Sequence, residues 1–373
     1  MKPKVYVTRL IPEAPLKKLA ENCDYRIWEG ELPVPRDVLL REAPAVDALL
    51  SLLTDKIDGA VMDAAPKLRV ISNMAVGFDN VDVREATKRK IMVCNTPEVL
   101  TDTTADFAFA LLLAAARRVV EGERVVRAGK WKTWGPMILL GQDVHHATLG
   151  IVGLGRIGAE VAKRAKGFDM RIIYYDAIIR PDLEKTLGTE FRDLRTLLAE
   201  SDFVTIHCPL LPETYHLIGE EQFKLMKKTA ILVNSARGPI VDPKALYNAL
   251  RNRQIAYAAL DVTEPEPIPM DDPLLALENI VIVPHIASAS VATRTKMATM
   301  AVENLLAGVK GEKPPYIVNP EVLGCQPGSV GQVGRHLSLH DALKSPQLVQ
   351  QFSRDRQDPT QSRKRLDACS ESC

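Results

Sequence analysis

The sequence predicts an α/β protein made of two doubly wound parallel-sheet domains. Three observations carry that expectation. Short apolar runs alternate with amphipathic segments along most of the chain. One such run leads straight into a Gly-x-Gly-x-x-Gly turn. The 373 residues are enough for about two domains with sizeable cores.

The elements follow in order. In the first hundred residues, strands are expected at 4–8, 25–28, 48–53, 69–73 and 91–94, with amphipathic segments such as 15–21 and 35–42 between them. A long helix is expected over 102–118, capped by Thr101 or Asp102. Its Ala and Leu residues make it apolar on nearly all sides, which suits burial between layers. Strands recur at 148–152, 171–175, 203–207, 230–234, 256–261 and 280–283, six in all and enough for a complete doubly wound sheet. A last helix over 290–306 carries Ala, Met, Val302 and Leu305 at helical spacing, read as core packing. The first domain is therefore discontinuous, 1–99 with 288–323, and encloses a second domain at 100–287. A cleft between two such domains is a common ligand site. Residues 324–373 are rich in Ser, Gln, Arg, Asp and Gly, and disorder is expected there, with at most a short helix at 339–352.

Each glycine of the turn has a physical role. Gly153 permits the tight turn, Gly155 lets backbone approach a pyrophosphate, and Gly158 lets the next helix, 156–165, pack close to the strand. That helix presents unpaired N–H groups and a positive dipole end to phosphates. The strand at 171–175 ends in Asp176, 18 residues past Gly158, where a carboxylate can accept hydrogen bonds from an adenosine ribose diol. Strand, glycines, helix, strand and acid in this order point to a bound dinucleotide. The plain alternative is a glycine-rich turn with no ligand.

Composition excludes several classes. With 48 basic against 47 acidic residues, nothing suggests nucleic acid or an anionic membrane as partner. No apolar run approaches the roughly 20 residues of a membrane span. The N-terminus runs directly into a strand and shows no signal-peptide core. The cysteines at 23, 94, 208, 325, 369 and 373 have no metal-ligand spacing, which implies a reducing cytoplasm and no disulfide framework. The adjacent His145 and His146 read as a surface loop rather than a metal site, and no metal is expected.

Three side chains lie just past the C-terminal ends of expected strands, where open α/β sheets place ligands: Arg237, Glu266 and His285. Alone, each reads as an ordinary surface or loop residue. Together, behind a dinucleotide turn, they match the needs of 2-oxo acid reduction. Arginine holds a carboxylate and polarises the carbonyl. Histidine donates a proton near neutrality. A nearby glutamate favours the protonated imidazole and fixes its orientation. His207 also ends a strand and is read as structural lining of the nucleotide crevice, with catalysis the alternative. Cys208 reads as a buried small apolar residue.

The chain resembles the D-isomer-specific 2-hydroxyacid dehydrogenases, over residues 2–323. The motifs that carry the resemblance are Val-Gly-Phe-Asp-Asn-Val-Asp at 76–82, the segment 96–105, the glycine turn, and the segments 234–238, 261–267 and 284–288. The segments 99–104, 130–134 and 139–141 are similar to its glyoxylate/hydroxypyruvate reductase branch. The resemblance implies a flavodoxin-like substrate domain plus a Rossmann dinucleotide-binding domain, and Arg237, Glu266 and His285 as the catalytic set. It implies substrate binding by backbone N–H groups around Val76 and Gly77, together with Arg237 and His285. It implies a cofactor site that includes Gly153 and Gly158, with pyrophosphate contacts from Leu154, Gly155, Arg156 and Ile157, and adenosine contacts from Asp176, Ala177 and Ile178. At the nicotinamide half it implies Thr104, Ser235 and Asp261, and it adds Ala236, Arg237, His285, Ile286 and Ala287 to the cofactor-binding residues. Asp261 has a helix or turn cap as its alternative, and Thr104 a bond to its own backbone. Leu53 and Leu100 would wall a compact pocket.

The resemblance further implies a homodimer formed through the region of Trp131 and Trp134, with Trp134 reaching the neighbouring site. The alternative is that both tryptophans cap their own domain. Ala287 stands where the family often has glycine, which narrows the space beside His285. Asp176 would repel a 2′-phosphate, so NADH is the preferred form of the NAD cofactor; Arg180 keeps NADP open. Small 2-oxo acids, glyoxylate and hydroxypyruvate, are the expected substrates. Phosphoglycerate or a larger 2-oxo acid is the near alternative, but residues 72–82 hold no basic side chain to take a phosphate. A dinucleotide-sensing binding protein, like corepressors that share this fold, is the alternative of a different class.

Overall fold

The computed structural model describes residues 2–324. The tail over 325–373, with the expected disorder, the expected short helix and three of the cysteines, lies outside the described residues. Two sheets, parallel throughout, organise the rest.

The first sheet holds β1 (Lys4–Val7), β2 (Asp24–Ile27), β3 (Ala48–Ser51), β4 (Val70–Asn73) and β5 (Met92–Cys94), in the spatial order β2-β1-β3-β4-β5. That is the flavodoxin-like order. The second sheet holds β6 (Thr148–Val152), β7 (Arg171–Tyr175), β8 (Glu190–Phe191), β9 (Phe203–Ile206), β10 (Ile231–Asn234), β11 (Tyr257–Leu260) and β12 (Ile280–Ile282). Their order is β12-β11-β10-β9-β6-β7-β8, so the chain reverses its direction of travel at the β6/β9 boundary. Ligands of such sheets bind at that reversal.

The sequence folds this way because most strands are buried on both faces. Every residue of β3, β4, β9, β10 and β11 is buried, and the runs Ala-Leu-Leu-Ser and Ile-Leu-Val-Asn have no polar alternation for that reason. The seventh strand of the second sheet, β8, was not expected. It has two residues at the sheet edge, too few to show a pattern.

The long helix spans Thr101–Ala116 and packs on β10, β11 and the helix Arg156–Lys166. Its N-cap is Leu100, with no side-chain cap, so the expected cap at Thr101 or Asp102 is corrected. The chain enters the helix through a turn in which the Thr101 N–H donates to the Glu98 carbonyl, and both expected caps already lie inside the first helical turn.

The last helix, Val291–Lys310, begins on a true cap, with the Ser290 side chain accepting from the Thr293 N–H. It packs on β3, β4 and β5 and shares a core with Val5, Val7, Leu50 and Val70 through Met297, Ala301, Val302 and Leu305. Ser72 Oγ donates to the Ala301 carbonyl at 2.7 Å. The buried Asn304 donates to the Asn95 carbonyl at 2.9 Å and accepts from the Tyr316 N–H at 3.0 Å. The C-terminal helix is thus part of the first sheet's core.

Trp131 and Trp134 are 60% and 78% exposed, so neither caps its own domain, and that alternative is withdrawn. They share an exposed segment with Met137, Ile138 and Leu140. Among the described residues, no helix is long and apolar enough to cross a membrane.

Gly308 lies where helix and sheet touch. A Cβ there would sit 2.8 Å from Val70 Cβ and Cγ2, closer than packed carbons tolerate. Gly308→Ala must push helix from strand, and overpacking of this kind costs about 1–3 kcal/mol, more than alanine's helix propensity returns. Thermal denaturation should show a lowered Tm; an unchanged or raised Tm would refute the tight seating.

Candidate active site

The glycine turn leaves β6 at the reversal point. Gly153 has φ +98°, and a Cβ on it would lie 2.5 Å from the Cys208 amide nitrogen. Only glycine fits there. A Cβ on Gly158 would meet the Gly153 carbonyl oxygen at 2.2 Å, so the helix can approach only without a side chain. A Cβ on Gly155 would meet nothing within 4 Å, which leaves its backbone open to a ligand. In front of this turn lies a cavity of about 870 Å³, lined among others by Gly153, Gly155, Arg156, Asp176, Ala177 and Ile178.

Asp176 sits at the end of β7, and its Oδ2 accepts from the Leu154 N–H at 2.8 Å. Burial raises its pKa, while N–H groups of Leu154, Ile178 and Ala177 pull the other way. Arg180 is held by Asp182 at 3.0 Å and donates to the Leu154 carbonyl at 3.4 Å. Leu154 itself is buried in the core, and its N–H is spent on Asp176. Ile157 packs against the same core. Both therefore shape the turn, while Gly155 and Arg156 line the cavity.

His207 follows β9 and lines the same cavity. Its Nε2 lies 2.8 Å from Thr205 Oγ1, and desolvation pushes the imidazole down from 6.5 to about 3. A histidine that stays neutral through the physiological range suits a crevice wall, not a proton donor. Burial pushes the neighbouring Cys208 thiol up to about 12, which keeps it inert.

The loop after β4 is pinned by three asparagines. Asn73 Nδ2 donates to the Gly77 carbonyl at 3.1 Å, and Asn95 Nδ2 to the Val76 carbonyl at 2.8 Å. Asn80 Nδ2 donates to the carbonyls of Leu52 and Asp55 at 3.0 and 2.9 Å. With the loop's carbonyls turned inward to these donors, its N–H groups face away from them. Across the cleft, Arg237 reaches this loop from the end of β10. A Cβ on Gly77 would fall 1.8 Å from Arg237 Nη2, so the guanidinium lies directly against the Gly77 backbone.

Arg237, Glu266 and His285 follow β10, β11 and β12, which are neighbours in the sheet. Asn234 shapes the Arg237 turn, donating to the Arg237 carbonyl at 2.9 Å and accepting from the Ala236 N–H at 3.1 Å. Gly238 lets this turn touch the next one, since a Cβ there would meet the Thr263 carbonyl oxygen at 1.9 Å. His285 Nδ1 lies 2.6 Å from Glu266 Oε1. The His285 backbone is left-handed, φ +51°, a conformation that costs a side-chain-bearing residue about 1–3 kcal/mol. Asp261 holds it there. The two Asp261 carboxylate oxygens accept from the Ile286 and Ala287 N–H groups at 2.7 and 3.0 Å, and its carbonyl accepts from the His285 N–H at 2.9 Å. Asp261 therefore caps this turn. Burial raises its pKa, and those two N–H groups oppose the rise.

Thr104 is buried in the first turn of the helix Thr101–Ala116. Ser235 is buried too, and among the described residues its Oγ has no hydrogen-bond partner. The residues present fit a dinucleotide. The open face at Gly155, the cavity beside it and the orphan hydroxyl at the far end of the same strand edge are features that a bound cofactor would fill.

Comparison with known proteins agrees. Residues 109–287 match the family model described as "D-isomer specific 2-hydroxyacid dehydrogenase, NAD binding domain". A glyoxylate reductase of Korarchaeum cryptofilum is 61% identical over 328 residues, covering 88% of this chain and 99% of that one. The chain belongs to the D-isomer-specific 2-hydroxyacid dehydrogenase family. A glyoxylate reductase of Pyrococcus horikoshii is 53% identical, over 87% of this chain and 98% of its own. Among solved structures, the TT0316 protein from Thermus thermophilus is 47% identical with a TM-score of 0.81, covering 84% of this chain and 99% of that one. An NADPH-dependent glyoxylate/hydroxypyruvate reductase from Sinorhizobium meliloti, in complex with NADP and malonate, is 31% identical with a TM-score of 0.76, over 88% and 100% of the two chains. Family membership makes this chain an NAD(P)-linked oxidoreductase.

Sequence reasoning did not single out three contacts at this site. Arg156 Nη2 pairs with Glu98 at 3.0 Å at the cavity mouth. His216 Nε2 lies 2.6 Å from Glu264, two residues before Glu266. Asp79 meets Arg237 at 3.3 Å. The partners are 58, 48 and 158 residues apart, so no local spacing signals them. His145 and His146 form an exposed edge-to-face pair with ring centroids 5.1 Å apart.

The depressed His207 pKa has a sign that can be measured. The unfolded chain takes up a proton near 6.5 and the folded one only near 3, so folding stability is full above about 6.5 and falls as pH drops toward 3. His207→Gln should flatten the decline of Tm between pH 7 and pH 4 relative to the parent. Parallel declines in the two proteins would show that His207 titrates normally.

Proposed function

We propose that the protein reduces small 2-oxo acids with a reduced nicotinamide dinucleotide: glyoxylate to glycolate, and hydroxypyruvate to D-glycerate. The observation that carries this reading is the close pair His285–Glu266, one strand removed from Arg237 and on the same C-terminal sheet edge as the glycine turn. The names of the relatives, glyoxylate reductases more than half identical over nearly their whole lengths, support it.

Bound nicotinamide supplies the hydride that the carbonyl carbon receives. The protein's own residues do the remainder. The N–H groups of Val76 and Gly77, with the Arg237 guanidinium against them, hold the substrate carboxylate. Arg237 also draws electron density toward the carbonyl oxygen as charge develops there. His285 delivers the proton that this oxygen takes. Glu266 on Nδ1 fixes the ring and leaves Nε2 to donate. Asp261 keeps the ring in place through the turn beneath it.

Three further assignments belong to this proposal. NADH is the preferred reductant, because the Asp176 carboxylate would meet a 2′-phosphate with like charge and Arg180 is already paired to Asp182. The substrate domain is 1–99 with 288–323 and the dinucleotide domain 100–287, working in the cytoplasm. Two copies associate through the exposed segment that carries Trp131, Trp134, Met137 and Leu140.

A panel of 2-oxo acids assayed with both cofactors tests the chemistry. We expect glyoxylate and hydroxypyruvate to lead, with higher kcat/KM for NADH than NADPH. His285→Ala should lower kcat about 10²–10⁴-fold, and Arg237→Ala about 10²–10³-fold. Binding of NADH without turnover of any small 2-oxo acid would favour a sensor instead; better efficiency with NADPH would reverse the cofactor assignment alone.

Association is tested by sedimentation. The parent should run as a dimer and Trp134→Glu as a monomer or a weakened dimer. A monomeric parent at assay concentrations would exclude the assembly.

A further inference from the structure

The Asp79–Arg237 pair links the loop after β4 to the turn after β10, and so joins the two sheets across the cleft. Its geometry is specific. Asp79 Oδ1 accepts from both Arg237 Nε and Nη2, each at 3.3 Å. Arg237 Nη1 donates to the Ala236 carbonyl at 2.8 Å. A guanidinium has five N–H bonds. Asp79 takes the edge formed by Nε and Nη2, and Ala236 takes one N–H of Nη1. One N–H on Nη2 and one on Nη1 remain for an arriving carboxylate, which guanidinium nitrogens bind strongly. The same Nη2 lies against Gly77, and a Cβ on Gly77 would also approach Asp79 Oδ1 to 2.9 Å. Gly77, Arg237 and Asp79 form one tight cluster, and a side chain at position 77 would displace the Arg237 guanidinium.

We propose that Asp79 is a positioning and specificity residue for this site. It turns the free N–H groups of Arg237 toward the Gly77 loop, and its own negative charge selects 2-oxo acids that carry a single carboxylate. The proposal rests on the reading of the site as a 2-oxo acid pocket. The charge argument is direct. Asp79 and Arg237 cancel before substrate arrives. One substrate carboxylate then pairs with the free N–H groups of Arg237. A second anionic group on the same substrate finds no other cation in residues 72–82, and it faces the Asp79 carboxylate at short range. Like charges within a few ångströms in a partly desolvated cleft repel far more strongly than in water. Asp79 is half exposed, so nothing in the core depends on it.

The test compares kcat/KM for glyoxylate with that for oxaloacetate, a dianion, in the parent, Asp79→Asn and Asp79→Ala. Asparagine keeps the shape and an oxygen for Arg237 while removing the charge. We expect the oxaloacetate-to-glyoxylate ratio to rise about 10-fold or more in both variants, since both lose the repulsion. We expect KM for glyoxylate to rise in Asp79→Ala and to be largely restored in Asp79→Asn, because only the alanine frees the guanidinium to rotate. A variant that is merely destabilised lowers both substrates in parallel and leaves the ratio fixed, and a fixed ratio with intact Tm overturns the proposal. Loss of all 2-oxo acid turnover in the parent would instead overturn the functional reading on which it rests.

Discussion

A buried carboxylate holds the reactive side of this molecule in register. Asp261 leaves β11 and gives both oxygens to the backbone of Ile286 and Ala287, just beyond β12. Two N–H donors on a desolvated carboxylate make charge-assisted hydrogen bonds, each worth about 1.5–3 kcal/mol. Their sum covers the cost of a left-handed backbone at His285. The histidine ring is thereby aimed at Glu266 by the main chain beneath it. Without that carboxylate the turn would relax, and the 2.6 Å contact would have no fixed base.

The sheet supplies the rest of the convergence. Parallel strands joined by right-handed crossovers put all their C-terminal ends on one edge. Arg237, Glu266 and His285 then become neighbours because β10, β11 and β12 are neighbours. The glycine turn after β6 lies on that same edge, two strands beyond β10. Nothing in the individual residues demands this grouping; the topology imposes it. The first sheet does likewise with the loop after β4, and Asn73, Asn80 and Asn95 stiffen that loop from within.

What the sequence made legible follows from how local each signal is. Buried parallel strands are continuous apolar runs, so β3, β4 and β10 could be read directly, within a residue or two of their ends. Gly158 was legible because its constraint, the Gly153 carbonyl, is local, and Gly153 because it opens the tight turn, although the Cys208 amide that excludes a side chain there is distant in sequence. Position after a strand pointed to Arg237 and His285. The edge strand β8 left no pattern in two residues. The entry to the helix Thr101–Ala116 misled because Thr101 and Asp102 resemble caps, while the true start is set by the preceding turn. Asp261 could be read two ways, since its acceptor role spans 25 residues. The Asp79 and Glu98 pairs were invisible for the same reason: they exist only once two sheets face each other.

Those two pairs also explain how the cleft can be firm and yet open to ligands. Glu98–Arg156 stands at the dinucleotide mouth, and Asp79–Arg237 at the loop opposite. Both are partly exposed, and exposed ion pairs contribute only about 0–1 kcal/mol each. The first sheet's integrity lies elsewhere, in the packing of Gly308 on Val70 and the bond from Ser72 to Ala301. An arriving anion can therefore compete for Arg156 or for the free N–H groups of Arg237 without disturbing either core. A charge-assisted bond to the ligand returns about 1.5–3 kcal/mol, more than the weak pair it perturbs. The strong contacts keep each sheet rigid, and the weak ones are placed where charge must be exchanged.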